Sequence, residues 1–233
     1  MIARSTATCP VPIRSRAPTG SSSPAEAAPA ATTLARIRAS AWCAPAITVA
    51  AVALALAFAV DPRGNFPLND DWAYAHSVEW LFVEHRIRLS DWIAMNLLPQ
   101  TLLGTLATAI GGFAFTTLRH LTQIVAAAVA VLALGFFRAA GLDRRDALMA
   151  TLTLIAMPCW LPLANSYMTD LYGMLFALPA AALFVRALRE PKPVLLVGGT
   201  LLAVAGVLQR QVVLAVPAAF CVAWLAARPR RTP

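Results

Sequence analysis

The sequence predicts an all-α fold, namely a polytopic bundle of about six transmembrane helices with juxtamembrane amphipathic helices in its first loop. Of the 233 residues, 59% are hydrophobic and 13% are charged, and the mean hydropathy is +0.68. A soluble domain is about 45–50% apolar and about 25% charged. The apolar residues form long runs without a period of two, so the pattern is not that of a transmembrane barrel. Helices then satisfy the backbone groups in lipid.

The net charge of +8 does not indicate a nucleic-acid partner. The basic residues form short clusters between apolar runs instead of one stripe, and this is the pattern of cytoplasmic loops in membrane proteins. We therefore expect membrane lipid, and no nucleic acid, as the surroundings of this chain. The clusters are Arg138, Arg144 and Arg145; Arg186, Arg189 and Lys192; and Arg228, Arg230 and Arg231.

The apolar runs predict the spans, and the basic clusters predict their direction. The predicted spans are residues 44–60, 121–137, 147–166, 171–188, 194–209 and 211–227. If all three clusters are cytoplasmic, both termini of this multi-pass protein of the cell (inner) membrane are cytoplasmic too. Segment 97–116 is also apolar, but a full crossing there would move Arg144 and Arg145 outside. We therefore expect it to lie at the extracytoplasmic interface.

Composition divides the chain into a module and two tails. The predicted regions are a disordered cytoplasmic tail (1–40), a transmembrane module (41–228) whose first extracytoplasmic loop is 61–118, and a cytoplasmic C-terminal tail (229–233). Inside the loop, Trp72, Ala75, Val78 and Phe82 recur near helical spacing. This spacing predicts an amphipathic helix at the membrane surface, anchored by tryptophans.

Three polar features are predicted to meet on the outer face. They are Asn69-Asp70-Asp71 after the first span, Asp170 between two spans, and Gln209-Arg210-Gln211 at the end of a later helix. Charges at membrane depth are costly, so each is a functional hypothesis. Each also has a structural alternative: Asp70 and Asp170 could cap the helices that follow them, and Arg210 could snorkel to the headgroups.

The histidines and cysteines indicate no metal or redox site. His76, His85 and His120 could be combined with Asp70 or Asp71, but their spacing matches no strong metal motif, and surface histidines are the favoured interpretation. The cysteines show no C-x-x-C spacing, and we expect small buried hydrophobic residues at Cys9, Cys43, Cys159 and Cys221.

The order of several short motifs resembles a known enzyme family. The motifs are Asp70-Asp71-Trp72-Ala73-Tyr74-Ala75, Ser90-Asp91-Trp92-Ile93, Ser166-Tyr167-Met168-Thr169-Asp170, and the later basic residue Arg210. Over residues 43–227 the chain resembles the N-terminal part of the protein-mannosyltransferase-like glycosyltransferases, which have the GT-C fold. Relatives in that family include bacterial transferases that move aminoarabinose or other sugars from a polyprenyl phosphate.

The resemblance implies an inverting hexosyl- or pentosyltransferase. Such an enzyme would move a sugar from a polyprenyl-phosphate donor to a lipid, glycan or protein acceptor on the extracytoplasmic side. The implied catalytic residues are Asp70, as general base, and Asp170, as orienting or cation-binding acid. No cofactor is implied, with a divalent cation left open. The implied substrate-binding residues are Asp71, Tyr74, Gln100, Tyr167, Arg210 and Gln211.

Two departures from the family pattern define an alternative. Many relatives carry a charged residue beside proline at the start of the last juxtamembrane helix, where this chain has Leu98-Pro99-Gln100. Relatives also continue through several more helices, so we expect either a truncated enzyme or the remainder of the fold on another polypeptide. The alternative function is a non-catalytic membrane scaffold or a degenerate fragment of such an enzyme.

Overall fold

The computed structural model describes residues 28–60, 64–88 and 90–227, and within them the chain is 79% helix with no strand. Three helical segments are long and apolar enough to span a membrane, namely Trp42–Ala59, Phe115–Ala140 and Thr169–Arg189. The α-helices are α1 (Ala28–Ala59), α2 (Asp71–Glu84), α3 (Leu98–Gly111), α4 (Phe115–Ala140), α5 (Arg144–Ile155), α6 (Trp160–Ala164), α7 (Thr169–Arg189), α8 (Pro193–Gln209) and α9 (Ala215–Ala226).

The tails lie largely outside the described residues. This holds for residues 1–27 of the predicted N-terminal tail and for the predicted C-terminal tail 229–233. Residues 28–40 of the predicted tail belong to helix α1. The packing below concerns the unit that begins at Trp42.

Helices α1 and α4 are antiparallel. The rings of Phe58 and His120 are 5.9 Å apart near the end of α1 and the start of α4. Earlier in α1 and near the end of α4, the Arg138 guanidinium lies 5.4 Å from the centre of the Trp42 ring.

Helices α4 and α7 are parallel, and they define two ends of the bundle. Near their starts, the hydroxyls of Thr122 and Tyr172 are 3.1 Å apart. Near their ends, Arg189 Nη2 donates a hydrogen bond of 2.9 Å to the carbonyl of Ala140. We call the end where both helices begin the polar end, and the end where both finish among arginines the basic end.

The chain returns from the basic end to the polar end in two pieces. Helix α5 stops at Ile155, and α6 then finishes beside α4, where Gln123 Nε2 donates to Asn165 Oδ1 at 2.9 Å. The prediction of one continuous helix over 147–166 is therefore wrong. Pro158 lies in the break, and proline in a helix interior removes a hydrogen bond and clashes with the preceding turn.

Helix α3 begins and finishes at the polar end. Its Gln100 backbone N–H donates to Gln209 Oε1 at 3.0 Å, and its Gly111 carbonyl accepts from Thr117 Oγ1 at 3.4 Å. It is followed by Gly112 at φ +79°, a conformation that favours glycine. The basic clusters predict that segment 97–116 does not cross the membrane. In the structure, the helix in this segment does not pass between the two ends of the bundle.

Helix α2 forms as predicted, but only part of its predicted apolar stripe is buried, and the buried side also includes Asp71 and Ser77. Ala75 and Val78 are buried, whereas Phe82 is exposed. The Trp72 and Trp92 rings are 6.2 Å apart at the polar end. Tryptophan clusters of this kind are typical of membrane interfaces.

The last three segments pack along α7. Helix α8 runs antiparallel to α7, and Gly199 allows close approach because a Cβ there would lie 2.8 Å from the Phe184 ring. A 3-10 turn, Gln211–Leu214, then leads into α9, whose Phe220 stacks on Phe184 at 4.6 Å. The predicted helix 211–227 therefore begins as a 3-10 turn.

The expectation that the cysteines are buried is wrong for the three that the structure describes. Cys43 and Cys221 are exposed on helices, and Cys159 is exposed in the turn before α6. A bundle that faces lipid carries apolar residues on its outside, so burial inside protein is not needed there.

We predict that Gly104→Ala destabilises the bundle, whereas Gly135→Ala does not. A Cβ at Gly104 would overlap the Tyr167 hydroxyl, which is held by a hydrogen bond, and would lie 2.7 Å from Val78 Cγ2. Overpacking of this kind costs about 1–3 kcal/mol. A Cβ at Gly135 meets nothing within 4 Å, so this variant is the matched control. Thermal unfolding in detergent, followed by tryptophan fluorescence, measures both. Equal midpoints for the two variants would contradict the packing of α3 on Tyr167.

Candidate functional site

An ion pair at the polar end joins α7 to the end of α8. Asp170 is the second residue of α7, and Arg210 follows the last residue of α8. Arg210 Nη1 donates to the Asp170 carboxylate. About a third of each side chain is exposed (31% and 36%), so solvent and a ligand can reach the pair. The two alternatives, a capping Asp170 and a snorkelling Arg210, are thus replaced by a mutual contact.

The arginine lies against α7 beside Gly173. A Cβ there would be 3.8 Å from Arg210 Cβ and 3.9 Å from its Cδ. The aliphatic stem of Arg210 therefore runs along the first turns of α7 and carries the guanidinium to Asp170. This packing fixes where the positive charge lies.

Tyr74 on α2 connects the ion pair to the first loop. Its side chain is 7% exposed. Burial raises the pKa of the Tyr74 hydroxyl, the charge of Asp70 raises it further, Arg210 lowers it, and Asp170 raises it. Asp70, Asp170 and Arg210 therefore lie near enough to Tyr74 for their charges to act on its hydroxyl, and the direct contact among them is the ion pair of Arg210 with Asp170.

The two adjacent acids of the first loop have different environments. Asp70 occupies the N-cap position of α2 but makes no side-chain capping bond, and it is exposed. Asp71 is fully buried, and its Oδ1 accepts from the backbone N–H groups of Leu68 and Asn69 at 2.9 and 3.2 Å. Asp71 therefore shapes the turn that presents Asp70, while the Asp70 carboxylate faces solution.

Gln100 forms the centre of a buried network beneath the ion pair. Its backbone N–H and its side-chain oxygen bond to the Gln209 amide at 3.0 and 2.6 Å. Its side-chain Nε2 donates to the Tyr167 carbonyl at 3.1 Å, and its own carbonyl accepts from the Tyr167 hydroxyl at 2.7 Å. Burial raises the pKa of Tyr167 well above its usual value, so the hydroxyl remains a donor. The network ties α3, the segment before α7 and the end of α8 together.

The predicted substrate-binding residues therefore occupy two layers. Arg210 and the exposed Gln211 lie nearer the surface, and Gln211 Nε2 donates to the carbonyl of Ala94 at 2.9 Å. The side chains of Asp71 and Tyr74 are buried. Gln100 and Tyr167 lie below, with their polar atoms bound to protein groups. In this arrangement the lower layer positions the upper one.

The sequence places Gln209 in the Gln209-Arg210-Gln211 feature but gives it no role of its own, and it does not select the second buried polar group. In that group, Gln123 joins Asn165 at 2.9 Å and His120 at 3.0 Å. The available signal was an uncharged polar residue inside an apolar run, because such residues in membrane helices bond across helices.

An apolar cavity of about 470 Å³ adjoins the first loop. Asn69 and Met168 line it, and they stand within two residues of Asp70 and Asp170. The remaining lining includes Val60, Leu68, Leu161 and Leu163. The charged site thus has an apolar neighbour large enough for part of a lipid chain.

The residues near Asp170 do not fit a divalent cation. Its charged contact is the Arg210 guanidinium. Among the described residues, no three His, Cys, Asp or Glu side chains form a group that could hold a metal. His76 is bound to Glu79 at 3.0 Å, away from Asp170. Divalent cations prefer several oxygen ligands, so the chemistry proposed below contains no step through a metal.

No family model, no curated protein and no solved structure matches this chain. The site is therefore interpreted from its own geometry and chemistry.

We predict that Gln209→Leu destabilises the protein more than Gln211→Leu. The first change leaves the Gln100 N–H and side-chain oxygen buried without partners, and such a loss costs about 1–3 kcal/mol. The second removes an exposed bond to Ala94 and should cost less than about 1 kcal/mol. Unfolding in mixed micelles, followed by circular dichroism, compares them. A larger loss for Gln211→Leu would refute the central position of Gln100.

Proposed function

We propose that this chain is a membrane glycosyltransferase that moves a sugar from a polyprenyl-phosphate donor to an acceptor on the extracytoplasmic side. The observation that carries the proposal is the ion pair of Asp170 and Arg210 at the polar end, with Tyr74 near enough for the charges of this pair and of Asp70 to act on its hydroxyl. Two acids and one base beside an apolar cavity suit a substrate that has a phosphate, a sugar and a lipid chain.

The proposed topology rests on the charges at the two ends. Parallel helices α4 and α7 both finish among arginines, and these mark the cytoplasmic side by the positive-inside rule. The polar end is then extracytoplasmic. The proposal includes six crossings, of which α5 with α6 forms one interrupted crossing and α8 and α9 form shorter ones, with a GT-C-like arrangement of α2 and α3 outside.

Asp70 has the properties of a general base in this proposal. Its carboxylate is exposed and not used for capping, so it can accept the proton of an acceptor hydroxyl or amine. The acceptor atom forms a bond to the anomeric carbon of the sugar. The bond between that carbon and the phosphate oxygen breaks, and its electron pair leaves with the polyprenyl phosphate. Attack opposite to the leaving group inverts the anomeric configuration.

Arg210 stabilises the phosphate as charge develops on it. Guanidinium groups bind phosphate through charge-assisted hydrogen bonds, and donors placed in advance favour the transition state. Asp170 orients the guanidinium in this scheme. The apolar cavity beside Asn69 and Met168 receives the first isoprene units.

One observation favours the alternative of a non-catalytic scaffold. Asp170 and Arg210 neutralise each other. In the scaffold alternative, this half-buried pair is purely structural and joins α7 to α8. A transferase needs the positive charge at position 210 and the negative charge at position 170, whereas a scaffold needs only that the two charges be opposite. Exchanging the two residues distinguishes these functions.

We predict that Asp70→Asn abolishes sugar transfer while membrane insertion and folding remain. Loss of a general base lowers the rate about 10²–10⁴-fold. The measurement is release of polyprenyl phosphate from polyprenyl-phosphate hexose and pentose donors in proteoliposomes with a lipid extract as acceptor source. Glu79→Gln, which changes another acid on the same helix, is the control. Unchanged turnover in Asp70→Asn would reject Asp70 as the base.

We predict that the charge exchange Asp170→Arg with Arg210→Asp restores stability but not activity. Each single reversal places like charges together and should lower the unfolding midpoint by about 2–4 °C, as for about 1 kcal/mol. The double variant recovers most of this loss, because the pair is re-formed. Its activity remains absent, since a carboxylate then faces the phosphate. If the double variant recovers turnover as well as stability, the pair of residues 170 and 210 has only a structural role.

A further inference from the structure

The basic end contains a second cavity, remote from the polar end. It has a volume of about 390 Å³ and lies between Trp42 of α1 and the ends of α4 and α7. Three arginines surround it, together with a tryptophan and one acid. The lining residues are Trp42, Gly135, Arg138, Ala139, Arg186, Arg189 and Glu190.

Two of the arginines are held in place by backbone carbonyls. Arg138 Nη1 donates to Leu142 O at 2.8 Å, and its guanidinium lies over the Trp42 ring. Arg189 Nη2 donates to Ala140 O at 2.9 Å. A guanidinium carries five N–H donors, so each retains donors for a ligand. Little side-chain entropy remains to be lost on binding.

The positive charge of this cavity is not cancelled from within. Glu190 is the only acid in its lining, and the carboxylate of Glu190 lies 2.7 Å from Lys192 Nζ. The Arg186 guanidinium makes no hydrogen bond or salt bridge within the described residues, although its charge helps to lower the pKa of Glu190, and the residue is exposed. The cavity therefore presents three guanidinium groups against one acid that has its own partner.

The remaining wall is apolar and open. A Cβ at Gly135 would meet nothing within 4 Å, which makes this glycine part of an unfilled wall. The Trp42 side chain is 44% exposed beside it. A ligand with an anionic head and an apolar chain matches these two kinds of surface.

We propose that this cavity binds the phosphate headgroup of an anionic phospholipid in the leaflet at the basic end. Guanidinium groups match phosphate oxygens in geometry and charge, and tryptophan lies at headgroup level in membranes. Basic pockets between transmembrane helices on the cytoplasmic side are suited to such headgroups. The positive-inside rule accounts for the presence of arginines at this end, and Arg144 and Arg145 satisfy it without lining the cavity. The rule does not explain why three other arginines converge on one cavity. The inference is independent of the transferase function.

The test titrates the full chain in detergent with phosphatidylglycerol and counts bound lipid by native mass spectrometry. Phosphatidylcholine measures non-specific lipid binding, and glycerol 3-phosphate and inorganic phosphate measure binding of a soluble anion. We expect retention of phosphatidylglycerol alone. Arg186→Gln should weaken it about tenfold or more, the equivalent of one charge-assisted hydrogen bond. Gly135→Leu, which fills the cavity and keeps every charge, should weaken it to a similar degree.

Arg144→Gln is the matched control, because it removes one charge from the same end outside the cavity. It should change the affinity by less than about twofold, since exposed charges at this range are screened. Equal weakening by Arg144→Gln and Arg186→Gln would overturn the site in favour of diffuse attraction. If Gly135→Leu binds phosphatidylglycerol as tightly as the unchanged protein does, the lipid does not bind in this cavity. If phosphatidylcholine binds as tightly as phosphatidylglycerol, the site is not specific for anionic lipid. Equal affinity for glycerol 3-phosphate would assign the cavity to a soluble phosphate ester.

Discussion

The polar end depends on one buried residue, Gln100, and on four hydrogen bonds, two made by its side chain and two by its backbone. An uncharged amide in an apolar bundle must find partners for every donor and acceptor, because none is supplied by lipid. Gln100 finds them on Gln209 and Tyr167. Gln209 immediately precedes Arg210, and Tyr167 lies three residues before Asp170. The requirement to satisfy an amide thus sets the positions of the charges above it.

The two ends of the bundle divide the ionic chemistry between them. At the polar end, acids and a base meet around Tyr74, and at the basic end three arginines converge around Gly135. Parallel packing of α4 and α7 produces this separation, since each helix begins among polar residues and finishes at an arginine. The same asymmetry underlies the proposed orientation in the membrane, and it separates the proposed phosphate-donor site from the proposed lipid-headgroup site.

Much of this arrangement could be predicted from the sequence, because apolar run length and basic clusters are local signals. They predict an all-helical fold, and charge alone predicts that α3 does not pass between the two ends of the bundle. The break between α5 and α6 at Pro158 was missed because the mean hydropathy of an apolar run does not detect a single helix-breaking residue. The roles of Gln209 and Asn165 were missed because the partner of a buried amide lies far away in the sequence. Asp70 and Asp71 are alike in sequence, and only the fold separates the exposed acid from the buried one.

The ion pair between Asp170 and Arg210 is compatible with phosphate binding, although it could be thought to occupy the arginine. Only Nη1 of the guanidinium is committed to the carboxylate, and a guanidinium has five N–H donors. A phosphate can therefore bind the remaining donors while Asp170 holds the group in place. The carboxylate also offsets part of the cost of keeping a positive charge near the membrane before the donor arrives. On this view the pair is the resting form of a phosphate-binding arginine, held ready by an acid that takes no proton in the reaction.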